Sequence, residues 1–184
     1  MSRLQEKYYS EVTKKLSKSF GIKNMLALPK IEKVVVNMGI GEATKNKELL
    51  EEARTDMAKF TGQLPSIRLA RVSVASFGLR KGSPVGLKVT LRGKRMYEFL
   101  DKLFSIVLPR LRDFRGLNRD SFDKYGNYTL GLTEHTLFPE VQLGKIGSRG
   151  LEITIVTNTE NKKQAEDLLE NMGMPFKKND QESK

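Results

Sequence analysis

The stretch Leu87-Lys88-Val89-Thr90-Leu91-Arg92-Gly93-Lys94-Arg95-Met96-Tyr97-Glu98-Phe99-Leu100 places a strand and a helix back to back. Leu87, Val89 and Leu91 alternate with Lys88, Thr90 and Arg92, the two-residue period of a strand with one buried face and one wet, cationic face. Gly93 breaks the run. Beyond it Met96, Leu100, Leu103 and Val107, with Phe99, Phe104 and Leu108 alongside, recur at three- and four-residue steps, the period of an amphipathic helix. That helix opens on Lys94 and Arg95, where unpaired N–H groups and the positive dipole end disfavour cations by about 0.3–1 kcal/mol. An anion against Gly93 and the first turn would be served by the N–H groups and both cations. The alternative is two cations pointing into water.

Acid is missing around this stretch. From Met57 to Tyr97 there is no Asp or Glu, where the chain's average density would place about five, while nine Lys or Arg fall there: Lys59, Arg68, Arg71, Arg80, Lys81, Lys88, Arg92, Lys94 and Arg95. Depletion over two strands, a loop and a helix start points to a polyanionic partner rather than to one solvated face. The whole chain agrees, with 33 Lys and Arg against 22 Asp and Glu and a formal net charge of +11 over 184 residues.

The elements on either side follow from period and punctuation. Residues 3–20 read as an amphipathic helix on Leu4, Tyr8, Val12, Leu16 and Phe20, ending at Gly21. Ile31 to Met38 reads as a strand with Val34, Val36 and Met38 on one face and Lys33, Val35 and Asn37 on the other. A helix on Leu49, Leu50, Ala53, Met57 and Phe60 ends at Gly62, and the next strand puts Ile67 and Leu69 on one face, Arg68 and Ala70 on the other. Val72 to Gly86 reads as a long, mobile hairpin loop whose Phe77, Arg80 and Lys81 supply a stacking group and two phosphate-seeking charges. The segment to Gly150 is irregular and made plastic by its glycines, with a short strand at Tyr128 to Leu132. Leu151 to Thr157 is a strand, with Glu152, Thr154 and Val156 opposite its apolar side. The last helix carries Ala165, Leu168, Leu169 and Met172, is capped by Asn158 or Thr159, and stops at Gly173 and Pro175.

This order predicts an α+β fold: an antiparallel sheet of split β-α-β (ferredoxin-like) type, helices on one face, an extra N-terminal helix, and the other face open. Alternation puts Asn37, Arg68, Lys88, Thr90, Arg92 and Thr154 on the open face. A polar, cationic sheet without aromatic platforms suits the backbone and shallow groove of a folded RNA better than stacked single-stranded bases. A single domain over residues 1–178 with a disordered tail at 179–184 fits the length.

Other chemistries find little support. With no Cys and one His there is no thiolate chemistry and little for a metal. Gly39-Ile40-Gly41 begins like a dinucleotide fingerprint, but the third glycine position is Thr44, and the glycines read as a tight turn; Gly144-Lys145 lacks P-loop spacing. His135 has no catalytic partners in view and reads as a packing or hydrogen-bonding residue. No run reaches the ~20 apolar residues of a membrane span, and the first helix is no signal peptide. A nucleotide-dependent enzyme dependent on Gly39 and Gly41, or membrane binding through the first helix, are the competing readings.

Several stretches together carry a resemblance: Val34-Val35-Val36-Asn37-Met38-Gly39-Ile40-Gly41-Glu42-Ala43, Lys88-Val89-Thr90-Leu91-Arg92-Gly93, Arg112-Asp113-Phe114-Arg115-Gly116-Leu117-Asn118, Gly126-Asn127-Tyr128, Phe138-Pro139-Glu140 and Met172-Gly173-Met174-Pro175-Phe176. In order, and without large gaps from the first helix to about Lys178, they resemble the bacterial large-subunit ribosomal proteins that bind 5S rRNA. The resemblance implies a cytoplasmic, non-enzymatic structural protein of the ribosome, with no cofactor, metal, membrane or small-molecule substrate. Its implied partners are 5S rRNA, the rRNA and proteins of the central protuberance, the peptidyl-site tRNA and a small-subunit head protein. It carries the RNA face over to Asn37, Gln63 and Thr90, with Arg68, Lys88 and Arg92 as phosphate partners, and implies that residues 72–86 approach the tRNA. The loop departs from the family's Ala-Gly-Phe-Lys-x-Arg, reading Ala75-Ser76-Phe77-Gly78-Leu79-Arg80. The bridge to the small subunit falls before Gly150, where Gln142 to Ser148 lacks the family's acids.

Overall fold

A computed structural model describes residues 2–41, 46–141 and 147–177 of the chain. Its first helical run is α1 (Arg3–Lys7), a π turn at Tyr8–Val12 and α2 (Thr13–Phe20). Strict four-residue spacing of Leu4, Tyr8, Val12 and Leu16 would drift about 40° per step around an ideal helix. The wider π turn absorbs that drift, and all four side chains are buried. Gly21 closes the run in the left-handed conformation, φ 65°.

There follow β1 (Ile31–Gly39), α3 (Lys47–Thr61), β2 (Ser66–Leu69), β3 (Pro84–Leu91), α4 (Gly93–Lys102), β4 (Tyr128–Leu132), β5 (Leu151–Thr157) and α5 (Lys162–Met172). The five strands form one open antiparallel sheet in the order β2-β3-β1-β5-β4. This is the split β-α-β arrangement expected, with β4 added at one edge. The chain divides into two compact units, Met1–Lys33 with Arg92–Thr129 and Thr154–Lys184, and Val34–Leu91 with Leu130–Ile153.

In the second unit β1 and β3 pair antiparallel in the register Val34↔Leu91 to Gly39↔Gly86. Val34, Val36 and Met38 lie opposite Leu91, Val89 and Leu87, and all six are buried. Each such side chain contributes about 1.5–3 kcal/mol of hydrophobic transfer. From α3, Leu50, Ala53, Met57 and Phe60 are buried, and the Phe60 ring stacks on Phe138 at 4.3 Å. Asn46 caps α3 through the Glu48 N–H at 3.0 Å.

In the first unit Tyr8 donates its hydroxyl hydrogen bond to the Pro29 carbonyl at 3.0 Å and faces Tyr97, ring centroids 6.5 Å apart. Burial pushes both phenols up to about 12, the neighbouring tyrosines adding to the effect. Arg3 reaches Asp101 at 2.6 Å. Ala165, Leu168, Leu169 and Met172 form the buried side of α5, as their spacing predicts.

Several expectations need correction. The hairpin loop is shorter than residues 72–86, because Pro84, Val85 and Gly86 already belong to β3. It is also internally bonded: Val74 pairs with Leu79, Ala70 N–H donates to Ser83 O, Gly82 N–H to Ala70 O, and the Ser73 hydroxyl accepts from Lys81 N–H. Alternation in β2 fails at a bulge, where Arg68 pairs with Gly86 but Leu69 with Pro84. Leu69 is therefore 57% exposed and Ala70 buried, the reverse of the simple pattern. The cap of α5 is Asn161, whose side chain accepts from Lys163 N–H at 3.0 Å. Asn158 is engaged elsewhere, accepting from Lys30 N–H at 2.7 Å, and the Thr159 hydroxyl bonds Gln164 at 2.7 Å.

Two pairs of glycines also differ from their sequence reading. Gly116 and Gly126 are not sources of plasticity: a Cβ there would stand 2.7 Å from Lys177 N and 2.4 Å from Thr159 O. They are points of close backbone approach. Gly39 and Gly41 are not demanded by a tight turn, since neither adopts positive φ and a Cβ on either would meet nothing within 4 Å. Residues 42–45, 142–146 and 178–184, which hold Thr44, Gly144, Lys145 and the tail, lie outside the described residues.

Candidate nucleic-acid interface

The side of β1, β2 and β3 away from the buried valines and leucines forms a shallow concavity. Residues directly opposite in antiparallel strands share a face, and the registers Ser66↔Lys88 and Asn37↔Lys88 set Ser66, Lys88 and Asn37 in one row. The Ser66 hydroxyl donates to the Lys88 carbonyl at 3.1 Å, pinning one end. Asn37 Nδ2 donates to Glu152 Oε2 at 3.4 Å, extending the row to β5. The concavity, about 690 Å³, is lined by Asn37, Arg68, Arg71, Lys88 and Glu152 among others.

Gly86 makes this surface possible. It stands opposite Gly39, and a Cβ on it would lie 2.7 Å from the Met38 carbonyl oxygen. A side chain here would push β3 away from β1 beneath the concavity. The next row pairs Val35 with Thr90. Gln63, just beyond α3, donates from Nε2 to the Thr90 carbonyl at 3.3 Å, so its side chain is tied to the β3 backbone at Thr90.

Electrostatically the surface is cationic. Among the described residues Arg68, Arg71 and Lys88 have no ion-pair partner. Unneutralised charge on a concave surface can displace counterions from phosphate, the main term in nucleic-acid affinity. At the loop tip Phe77 is 83% exposed, with Arg80 and Lys81 also accessible. The turn beneath it is set by Gly78 at φ 60°.

The structure thus brings together Asn37, Arg68 and Lys88, and separately Gln63 and Thr90, all in the second unit. Arg92, Lys94 and Arg95 belong to the first, at the exposed start of α4. Lys94 Nζ lies 3.6 Å from Glu98 on its own helix, while Arg95 has no partner among the described residues. Thr154 Oγ1 is 3.1 Å from Thr129 Oγ1. Sequence reasoning counts Arg71 among the basic residues without assigning it a place, and it gives Glu152 no role. Glu152 shares the strand parity of Thr154, and its negative charge sets it apart from the cations of the acid-free run.

His135 is 2% exposed and its Nδ1 accepts from Arg149 N–H at 3.0 Å, a packed and hydrogen-bonded residue as expected. Burial holds its pKa below the ordinary value, the Asp56 charge opposing. No described helix is long and apolar enough to cross a membrane.

Two family models match consecutive parts of the chain, ribosomal protein L5 over residues 24–80 and the ribosomal L5 family C-terminus over residues 84–176. The chain belongs to the ribosomal protein L5 family. It is 54% identical to the large ribosomal subunit protein uL5 of Dictyoglomus turgidum and 53% to that of Thermoanaerobacter sp. strain X514. Each match covers 97% of this chain and 100% of the relative. As a member of the L5 family the chain is a structural constituent of the large ribosomal subunit and not an enzyme, which removes the nucleotide-dependent reading from consideration. Both β1 and β2 fall in the first matched region, while β3 and β5 fall in the second, so the concavity draws on both.

Proposed function

We propose that this L5-family chain binds 5S rRNA through the concave face of β1, β2 and β3 and helps attach it to the central protuberance of the large ribosomal subunit. The observation that carries this reading is the row Ser66, Lys88, Asn37 beside Arg68 and Arg71, which have no ion-pair partner among the described residues. Cations at the rim and short polar groups in the row match the two needs of folded-RNA recognition, phosphate neutralisation and hydrogen bonding in the shallow groove. Gln63 and Thr90 extend the polar part, and Arg92, Lys94 and Arg95 supply further phosphate contacts.

The exposed Phe77, with Arg80 and Lys81, suits contact with the peptidyl-site tRNA, a ring to stack and two charges for the backbone. A bridge to a small-subunit head protein falls within the segment before Gly150, part of which lies outside the described residues. Other partners are the rRNA and proteins of the central protuberance on cytoplasmic ribosomes.

The test is competition binding of purified protein to 5S rRNA and a length-matched structured RNA at two salt concentrations. A preference for 5S rRNA that persists at the higher salt is expected, and Thr90→Val is expected to reduce it without lowering the melting temperature. Equal, steeply salt-dependent binding to both RNAs would overturn the reading, leaving only the +11 net charge to explain affinity.

A further inference from the structure

A carboxylate lines the cationic concavity on its β5 side. Glu152 lines the same surface as Arg68, Arg71 and Lys88, yet among the described residues none of those cations forms an ion pair with it. Its contact is with Asn37, whose Nδ2 donates to Oε2 at 3.4 Å. A carboxylate has only acceptors, so the amide must turn its NH2 toward Glu152. That leaves Asn37 Oδ1 as an acceptor, with the second amide hydrogen as a donor beside it. The pair therefore presents acceptors together with a negative charge, a combination that repels phosphate and attracts a hydrogen-bond donor.

The shallow groove of an RNA helix offers two kinds of donor, the ribose 2′-hydroxyl and the guanine 2-amino group. Resting on the RNA-binding reading above, we propose that the Asn37–Glu152 pair reads such a donor while Arg68, Arg71 and Lys88 hold the flanking phosphates. Glu152 then acts as a specificity residue. It weakens binding to any polyanion through its charge and is compensated only by an RNA that places a donor against it.

The experiment uses the full chain and its Glu152→Gln and Glu152→Ala variants, with melting curves to establish that the exposed position leaves the fold intact. Both variants are expected to bind the unrelated RNA more tightly and to reduce the 5S rRNA preference about tenfold, as removal of a good polar readout group does. Analogue-interference mapping with 2′-deoxynucleotides and with inosine identifies the source. A position that interferes for the wild type but not for Glu152→Ala in the deoxy arm assigns a ribose hydroxyl, and in the inosine arm a guanine amino group. Wild-type preference with both variants retaining it in full, or with Glu152-dependent interference in neither arm, overturns this inference while the RNA-binding reading stands. Wild-type protein without any 5S rRNA preference overturns the RNA-binding reading itself.

Discussion

Arg119 and Arg68 are the same side chain in opposite settings. Arg119, in the first unit, hydrogen-bonds Glu166, lies 3.3 Å from Glu170 and sits 5.1 Å over the Phe176 ring. Phe176 in turn contacts Phe122 and Tyr128, with centroids 6.0 and 5.7 Å away. This arginine fastens the segment after α5. Arg68 stands on an edge strand with no partner among the described residues. Positive charge in this chain thus has two uses, and the presence or absence of acidic neighbours separates them: Glu166 and Glu170 serve one, and the acid-free run from Met57 to Tyr97 leaves the other open.

The largest effect expected is a structural one beneath the open face. Gly86→Ala should cost about 2–3 kcal/mol in urea denaturation, because its Cβ meets the Met38 carbonyl. Gly39→Ala, directly opposite, should change stability by less than about 0.5 kcal/mol. Equal effects would mean that the strands can part without cost. Next, Arg119→Ala should destabilise by about 1–2 kcal/mol, since it leaves two carboxylates without their shared cation in a partly screened setting. It should leave the salt dependence of RNA binding untouched.

The reciprocal variant, Arg68→Ala with Lys88→Ala, should change stability by less than about 0.5 kcal/mol but shallow the salt slope by ~1.4–1.8, or ~0.7–0.9 for each phosphate no longer neutralised. A stability loss with an unchanged slope would put these cations in the same class as Arg119. The smallest effect concerns pH. His135 titrates below its ordinary value in the fold, chiefly through burial, so the unfolded chain binds the proton first. The stability that His135 contributes is complete above the unfolded pKa of about 6.5 and is lost as pH falls below it. Melting temperatures between pH 7.5 and 5.5 should fall less for His135→Gln than for the wild type.

Much of this was legible in the sequence, for physical reasons that can be named. Two-residue alternation on a sheet with one buried face is a strong constraint, and Val34, Val36, Met38, Leu87, Val89 and Leu91 fall on the side it predicts. The same logic places Asn37 and Lys88 on one face, though their direct opposition needs the register. Alternation fails in β2 because a bulge is a property of two strands together, invisible in Ile67 to Ala70 alone. The cap of α5 is ambiguous in sequence since Asn158, Thr159 and Asn161 are all capable, and only tertiary demand from Lys30 on Asn158 decides between them. Gly116 and Gly126 look permissive in sequence and prove to be points of close approach, because what a Cβ would strike belongs to residues far along the chain.

The measurement that tests the central claim most directly is lysine acetylation footprinting of the protein with and without 5S rRNA. Lys88 should be protected by the RNA, while Lys124, over the Tyr125 ring, and Lys163, in the first turn of α5, should react as they do in the protein alone. Protection of all three alike, or of Lys124 and Lys163 but not Lys88, would contradict the assignment of RNA binding to the open face of the sheet.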